Sequence, residues 1–379
     1  MRREIKYIGF YDFANARKNR VSSLAAINKM DYIANAIIQA GFNVHIISPS
    51  WSNNKGTPIT TKGEMIELNM NKKVTFCPTF STQSKIFGYL KIVYSLSWLF
   101  CWLIKNAKRN EKIIVYHVHW LSLPIRLAKK IKKFQLVLEV EEIYGDISII
   151  NSYLHKLEND LIKSADSYFF STDLLKDKIK SEKPFIVIYG SYTVYPQLTL
   201  PLNDGKIHLL YAGIIDTHKA GAFNALGAAK YLSNNYTLHI IGFGNTDLLL
   251  KEIDEINKLD GCKVVFDGLL SGEDYIRYCQ KCHIGLSTQN SYGKYLESSF
   301  PSKILSYLGM GLNVVTGYID CVNKSKIADI VNYYYVNSPT EISKAIKSVK
   351  IENKETNINV VNSLNDEFVL DVNKLLSNN

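Results

Sequence analysis

Two lysines and three glutamates offer the clearest chemistry in this chain. Lys303 lies in the run Phe300-Pro301-Ser302-Lys303-Ile304-Leu305-Ser306-Tyr307-Leu308-Gly309, which has helical spacing. Proline suits a first helical position, so a helix is expected to open at Pro301. Lys303 then sits in the first turn, where its positive charge opposes the helix dipole. A diphosphate there would satisfy both the ammonium and the free N–H groups of the helix end. The glutamates close another apolar run, Leu138-Glu139-Val140-Glu141-Glu142. Alternation puts Glu139 and Glu141 on one face and Glu142 beyond the strand. Such carboxylates could orient acceptor hydroxyls or stabilise an oxocarbenium-like state. A solvated strand end explains them equally well.

Three further strand ends carry glycine. Tyr211-Ala212-Gly213 is followed by Lys219, six residues on. Leu238-His239-Ile240-Ile241 closes in Gly242-Phe243-Gly244, and Val264-Val265-Phe266-Asp267 closes in Gly268. A Gly-x-Gly turn before a helix lets backbone N–H groups approach a phosphate. This one lacks the third glycine of the dinucleotide fingerprint, which counts against a nicotinamide-dependent enzyme. A tight strand-to-helix turn is its plainer reading. His119 ends the run Tyr116-His117-Val118-His119-Trp120 and could contact donor or acceptor, although a lone His at a strand end is more often structural. Arg17 lies in the basic loop Asp12–Arg20, which could meet an acceptor pyrophosphate or simply be solvated.

These residues need elements to hold them. Strands are expected at Ile5–Tyr11, Asn43–Ser48, Lys112–Val118, Leu136–Val140, Ser167–Ser171 and Phe185–Ile188, with helical patterns between most of them. Tyr189–Asp204, with Pro196 and Pro201, reads as a linker. Alternation resumes with strands at Ile207–Ala212, Tyr236–Ile241, Lys263–Phe266, Ile284–Ser287 and Leu312–Val315. Strands alternating with helices predict an α/β chain of two doubly wound, Rossmann-like domains. The expected division is residues 1–190 for the first domain, 191–206 for the linker and 207–350 for the second. Residues 351–379 form a tail that returns to the first. Ligands of such sheets bind at the carboxyl ends of the strands, here in a cleft between the facing domains.

Composition narrows the function. The 379 residues are 46% hydrophobic, ample for two cores, and 45 Lys and Arg outnumber 35 Asp and Glu. The basic charge sits in short clusters, without zinc-finger spacing or an RNA-binding aromatic signature, so no nucleic-acid partner is expected. The six cysteines show no disulfide framework, which suits a cytoplasmic protein. Cys279 and Cys282 make a single CxxC, better read as two core positions on a helix than as a metal site, and no metal is expected. The N-terminus runs straight into a strand with no secretory signal pattern. The segment 86–104 has nineteen residues and one charge, Lys91, with Lys105, Lys108, Arg109 and Lys112 after it. It lies between two strands of one domain, where a membrane span would split the sheet. An interfacial helix giving peripheral membrane contact through 86–112, at the inner face of the plasma membrane, and an ordinary buried helix both remain open.

The ordered motifs of the second half resemble the nucleotide-binding domain of family-four-like GT-B glycosyltransferases. The set comprises the strand ending in Gly213 with Lys219 beyond it, the Gly242-Phe243-Gly244 strand, the Val264 to Gly268 strand, and Pro301-Ser302-Lys303 leading to Tyr307-Leu308 and Val314-Val315. They look most similar to the bacterial branch of galactofuranosyltransferases and exopolysaccharide glucosyltransferases. The resemblance covers about 207–317 well and the first half loosely. It implies the GT-B fold, a nucleotide-sugar donor held by the second domain and an acceptor held by the first, with no cofactor and no divalent metal.

It further implies that Lys219 and Lys303 neutralise the donor diphosphate, that Gly242 and Gly244 line a phosphate turn, and that Gly268 borders the base. Ser302 and Tyr307 count with the donor site. Relatives carry two glutamates eight residues apart around Pro-x-Lys; the matching positions are Ser298 and Ser306. Glu297 could substitute for the first, and Ser306 could reach the ribose. Relatives place a His and an acidic residue where Glu141 and Glu142 stand, which makes these two the catalytic candidates. Arg17 and His119 are acceptor candidates. The expected activity is transfer of a UDP-linked hexose to a glycan or lipid-linked acceptor in cell-surface polysaccharide or glycoprotein biosynthesis, with retention. The alternative is a non-catalytic GT-B subunit that binds glycan or supports a partner transferase.

Overall fold

Most of the apolar runs become parallel strands, buried because helices cover the sheet. The computed structural model describes residues 2–13, 20–53, 60–147, 151–290, 296, 299–351 and 354–377. They fall into two units, one of Met1–Ser191 with Asp366–Asn379 and one of Tyr192–Asn365.

In the first unit the strands are β1 (Glu4–Ile8), β2 (Asn43–Ser48), β3 (Thr60–Thr61), β4 (Glu64–Asn69), β5 (Lys72–Phe76), β6 (Thr79–Phe80), β7 (Lys112–Tyr116), β8 (Gln135–Val140), β9 (Ser167–Phe170) and β10 (Phe185–Val187). Eight of them form one sheet in the order β10-β9-β8-β7-β1-β2-β5-β4, and β3 pairs with β6 in a short ribbon. Only β4 runs antiparallel within the large sheet. The helices are α1 (Leu24–Gln39), α2 (Lys85–Asn106), α3 (Ser122–Lys132), α4 (Tyr144–Ile147), α5 (Ser152–Ser164) and α6 (Leu174–Ile179). Leu99 and Leu103 of α2, Ile125 of α3 and Leu161 of α5 are buried with Ile113, Val115, Leu136 and Leu138 of the sheet. Each such side chain contributes about 1.5–3 kcal/mol relative to exposure. The segment 86–104 is therefore part of the domain. One stripe of α2, from Lys91 through Ser95 and Leu99 to Leu103, is buried, while much of the helix faces outward.

The second unit has β11 (Ile207–Ile215), β12 (Tyr236–Gly244), β13 (Lys263–Phe266), β14 (Ile284–Ser287), β15 (Asn313–Gly317) and β16 (Val331–Tyr334). All six are parallel, in the order β13-β12-β11-β14-β15-β16. Its helices are α7 (Gly221–Ala229), α8 (Thr246–Asn257), α9 (Gly272–Gln280), α10 (Ser302–Gly309), α11 (Asp320–Asn323) and α12 (Pro339–Ser348), with α13 (Lys354–Ser377) closing the chain. Counted within the unit this is the doubly wound order 3-2-1-4-5-6. The order reverses between β11 and β14, and the crevice beyond the carboxyl ends there is where such sheets bind ligands. In the first unit the reversal falls between β1 and β7.

Candidate active site

In the second unit the reversal point holds a cation. Lys303 lies in the first turn of α10, after Pro301, which takes the N-cap position rather than the first helical one. Pro301 has no side chain that could cap that helix end, and among the described residues none does so in its place. The ammonium sits 4.3 Å from the centre of the Tyr211 ring and donates to the Tyr211 hydroxyl at 3.3 Å. It reaches this place because Gly213 has no side chain. A Cβ there would lie 2.2 Å from Nζ, on a backbone with φ of 152°. Burial first, and the nearby charge of Lys219 second, push the Lys303 ammonium down to about 8, with Asp216 opposing. Among the described residues no carboxylate forms an ion pair with it. A half-buried cation at a positive helix end, beside a second lysine, is a ready anion site.

Lys219 stands in the loop between β11 and α7. Its N–H donates to Asp216 Oδ1 at 2.6 Å, and its carbonyl accepts from the Asn290 N–H at 2.9 Å. Asn290 also donates through its side chain to the His218 carbonyl at 2.8 Å, which latches the loop. Ala220 caps α7 with φ of 54°, an unusual conformation for a residue with a Cβ. Tyr211, Asp216 and Asn290 were given no role by sequence reasoning. Tyr211 had a signal, since it precedes the glycine motif; Asn290 had none.

Gly242 and Gly244 lie in a strand where a turn was expected. β12 runs through both, in register with Gly213 and Ile215 of β11. A Cβ on Gly242 would lie 1.8 Å from the Gly213 carbonyl oxygen, and one on Gly244 2.2 Å from that of Ile215. The Gly242 N–H is spent on the Gly268 carbonyl at 2.7 Å. The glycines let two strand ends close on each other. Tyr307, counted with the donor site from the sequence, is held by packing. It is fully buried, its hydroxyl accepts from the Ala212 N–H at 3.0 Å, and its ring fills the space beside Gly285. Ser302 is exposed at the start of α10, and the Ser306 hydroxyl donates to its carbonyl at 3.4 Å. Gly268 has φ of 70° and open space where a side chain would be. Glu297 and Ser298 lie outside the described residues. Cys279 and Cys282 are both buried, in the core of this unit.

In the first unit the carboxyl end of β8 is charged but internally matched. Glu139 is fully buried and accepts from the Tyr7 hydroxyl. Burial first, then the charge of Glu141, raises its pKa well above the ordinary carboxylate range. Glu141 pairs with buried Lys29 at 3.2 Å, and Lys29 also donates to the Ile188 carbonyl at 3.0 Å. Glu142 is half-buried, and its carbonyl lies 3.2 Å from His117 Nδ1. His117 Nε2 lies 3.7 Å from buried Glu158. Burial lowers the His117 pKa to about 4, and burial also raises that of Glu158 against two backbone N–H groups that favour its charged form. Of the three glutamates, Glu141 and Glu142 keep surface for a ligand, and Glu139 does not. Arg17 lies outside the described residues.

Around these carboxylates stand aromatic rings from four strand ends. Phe10 meets Trp51 edge-on at 5.0 Å, Trp51 meets Trp120 at 6.5 Å, and His119 lies 5.2 Å from both Trp120 and Tyr144. Trp120 is 38% exposed. His119, picked alone from the sequence, is one member of this shelf.

The comparisons bear on the whole chain. A sucrose-phosphate synthase from Thermosynechococcus elongatus superposes with a TM-score of 0.67 at 13% identity, covering 99% of this chain and 98% of that one. The fold is that of the GT-B glycosyltransferases. The lipopolysaccharide outer core galactosyltransferase WaaB in its apo form gives 0.65 at 13% identity, over 98% of each chain. A trehalose-6-phosphate structure from E. coli bound with UDP-2-fluoro glucose gives 0.66 at 10% identity, over 99% of this chain and 97% of that one. No protein-family model and no curated protein matches the sequence.

Proposed function

We propose that this chain is a glycosyltransferase that moves a hexose from a UDP-linked donor to a glycan or lipid-linked acceptor in cell-surface polysaccharide or glycoprotein assembly, with retention. The observation that carries the reading is Lys303, a half-buried ammonium over Tyr211 with Lys219 nearby, at an uncapped helix end. Breaking the bond between the anomeric carbon and the diphosphate leaves an electron pair on the leaving group. Two lysines and the first N–H groups of α10 would stabilise that charge as it forms. The acceptor hydroxyl oxygen makes the new bond at the anomeric carbon, and its proton passes to the departing diphosphate oxygen. Glu141 and Glu142 are assigned to orient that hydroxyl or to stabilise the oxocarbenium-like sugar. The aromatic shelf offers ring faces to the apolar side of an acceptor sugar. The UDP assignment draws support from the GT-B neighbour bound with UDP-2-fluoro glucose, and from another that is a UDP-forming trehalose-phosphate synthase.

A panel of UDP-sugars in a donor-hydrolysis assay tests this. Release of UDP with at least one donor is expected. The Ser306 hydroxyl, turned back onto its own helix, favours a second reading: a glycan-binding GT-B subunit without turnover. Silence with every donor, while glycan still binds, would select it.

A further inference from the structure

The outward side of α2 and α3 is unlike the rest of the first unit. Along α2, Ile86 and Tyr89 are each 72% exposed, and Phe87, Leu90, Val93 and Tyr94 are exposed with them. The opposite stripe is fixed to the domain: Lys91 donates to the Ser52 carbonyl at 2.6 Å, Ser95 donates to the Pro49 carbonyl, and Leu99 and Leu103 enter the core. By length and composition α2 could cross a membrane. That seated stripe rules out a lipid-surrounded span while the domain is folded. α3 packs beside α2 and repeats the pattern: Ile125 and Ala128 point inward, while Leu123, Leu127 and Ile131 are exposed.

The charge around these rows is mostly positive. Residues 85–133 contain eleven Lys and Arg, of which Lys91 and Lys112 are buried, and one acid, Glu111, which pairs with Lys6. An open basin of about 740 Å³ along α3 is lined by Leu123, Leu127, Arg126, Lys129, Lys130 and Lys133, among others. Arg126 and Lys129 are matched by Asp160 and Asp166. Lys130 and Lys133 have no acidic partner among the described residues. Apolar rows bordered by unmatched cations complement a surface that is apolar inside and anionic at its rim.

We propose that the outward face of α2 and α3 docks on an anionic lipid bilayer, with α2 lying along the interface and the α3 basin taking headgroup phosphates. The rings of Phe87, Tyr89 and Tyr94 enter the headgroup boundary, and the lysines approach the lipid charge. The docking face belongs to the unit with the acceptor candidates, so a lipid-linked acceptor would be met at the surface where it resides; only that last step rests on the transferase reading.

Flotation of the full chain with vesicles tests the docking without donor or activity. Binding is expected to phosphatidylcholine vesicles containing phosphatidylglycerol, not to phosphatidylcholine alone, with release as salt rises. The pair Lys130→Glu and Lys133→Glu should cut partition by about tenfold or more. Tyr89→Ser with Leu90→Ser should do likewise with an unchanged Tm, because both side chains are exposed. The proposal is overturned by absent or charge-indifferent binding, by attachment that survives a carbonate wash, by inorganic phosphate binding the basin without any vesicle binding, or by a concentration-dependent dimer that the Tyr89/Leu90 variant abolishes while vesicles are ignored.

Discussion

The two units put charge at equivalent places, just past the strands where the sheet order reverses, and treat it in opposite ways. In the first unit Tyr7 donates to Glu139, Lys29 pairs with Glu141, and His117 faces Glu158. In the second, Lys303 rests on the neutral ring of Tyr211 without a carboxylate partner among the described residues. An internally matched site beside an aromatic shelf is what the proposed sugar acceptor would require. A cation left without a carboxylate partner is what the proposed diphosphate site requires. Partial burial makes the lone ammonium costly, which is why its pKa falls, and the same low dielectric strengthens its pull on a phosphate.

That contrast can be broken by mutation. The largest effect on stability is expected at the close approach of β11 and β12. Gly242→Ala sets a Cβ against a backbone carbonyl and should cost about 3 kcal/mol or more in chemical denaturation. Gly268→Ala, with open space but positive φ, should cost about 1 kcal/mol. Lys29→Ala should cost about 3 kcal/mol as well, because it leaves half-buried Glu141, beside fully buried Glu139, without its cation. Lys303→Ala should cost nothing in the unliganded protein, and should instead lower kcat/KM by about 10²–10³-fold. Equal stability losses from the two lysine changes would erase the distinction drawn here. Next in size, Glu141→Gln and Glu142→Gln should lower kcat by about 10²-fold while donor affinity holds. Full activity in both would remove them from the site. The smallest effect is Trp120→Ala, expected to raise the acceptor KM about five- to tenfold with kcat unchanged.

How far the sequence revealed all this depended on range. Strands such as Asn43–Ser48 and Ile284–Ser287 were legible because a buried parallel strand is a short apolar run. The β4–β5 hairpin was not. Its outer strand, Glu64–Asn69, is an edge with charged residues and little burial. α13 was read as a tail returning to the first domain, and not as a helix. Its polar sequence carries a weak period, yet Phe368 packs against Phe169 and Tyr32, which only the folded chain brings near. At the site, Lys303 could be singled out because its charge conflicts with its place in a helix, a conflict visible within four residues. At Gly242 and Gly244 the sequence left two readings open, because a glycine needed for a phosphate and a glycine needed for a neighbouring strand look alike in sequence. Tyr307 was carried in by its motif, and nothing local told that its ring would pack on Gly285. The aromatic shelf escaped notice because its members come from four strand ends.

The most direct measurement is calorimetric titration of UDP into the wild-type chain and into Lys303→Ala and Lys219→Ala, from pH 7 upward. Phosphate binding needs the protonated ammonium, and the free Lys303 loses its proton around pH 8. Wild-type affinity should therefore be greatest below that pH and weaken as pH rises through it. Lys303→Ala should bind weakly at every pH and lack that dependence. Unchanged affinity after both lysines are removed, or a wild-type curve flat across pH 8, would contradict the account.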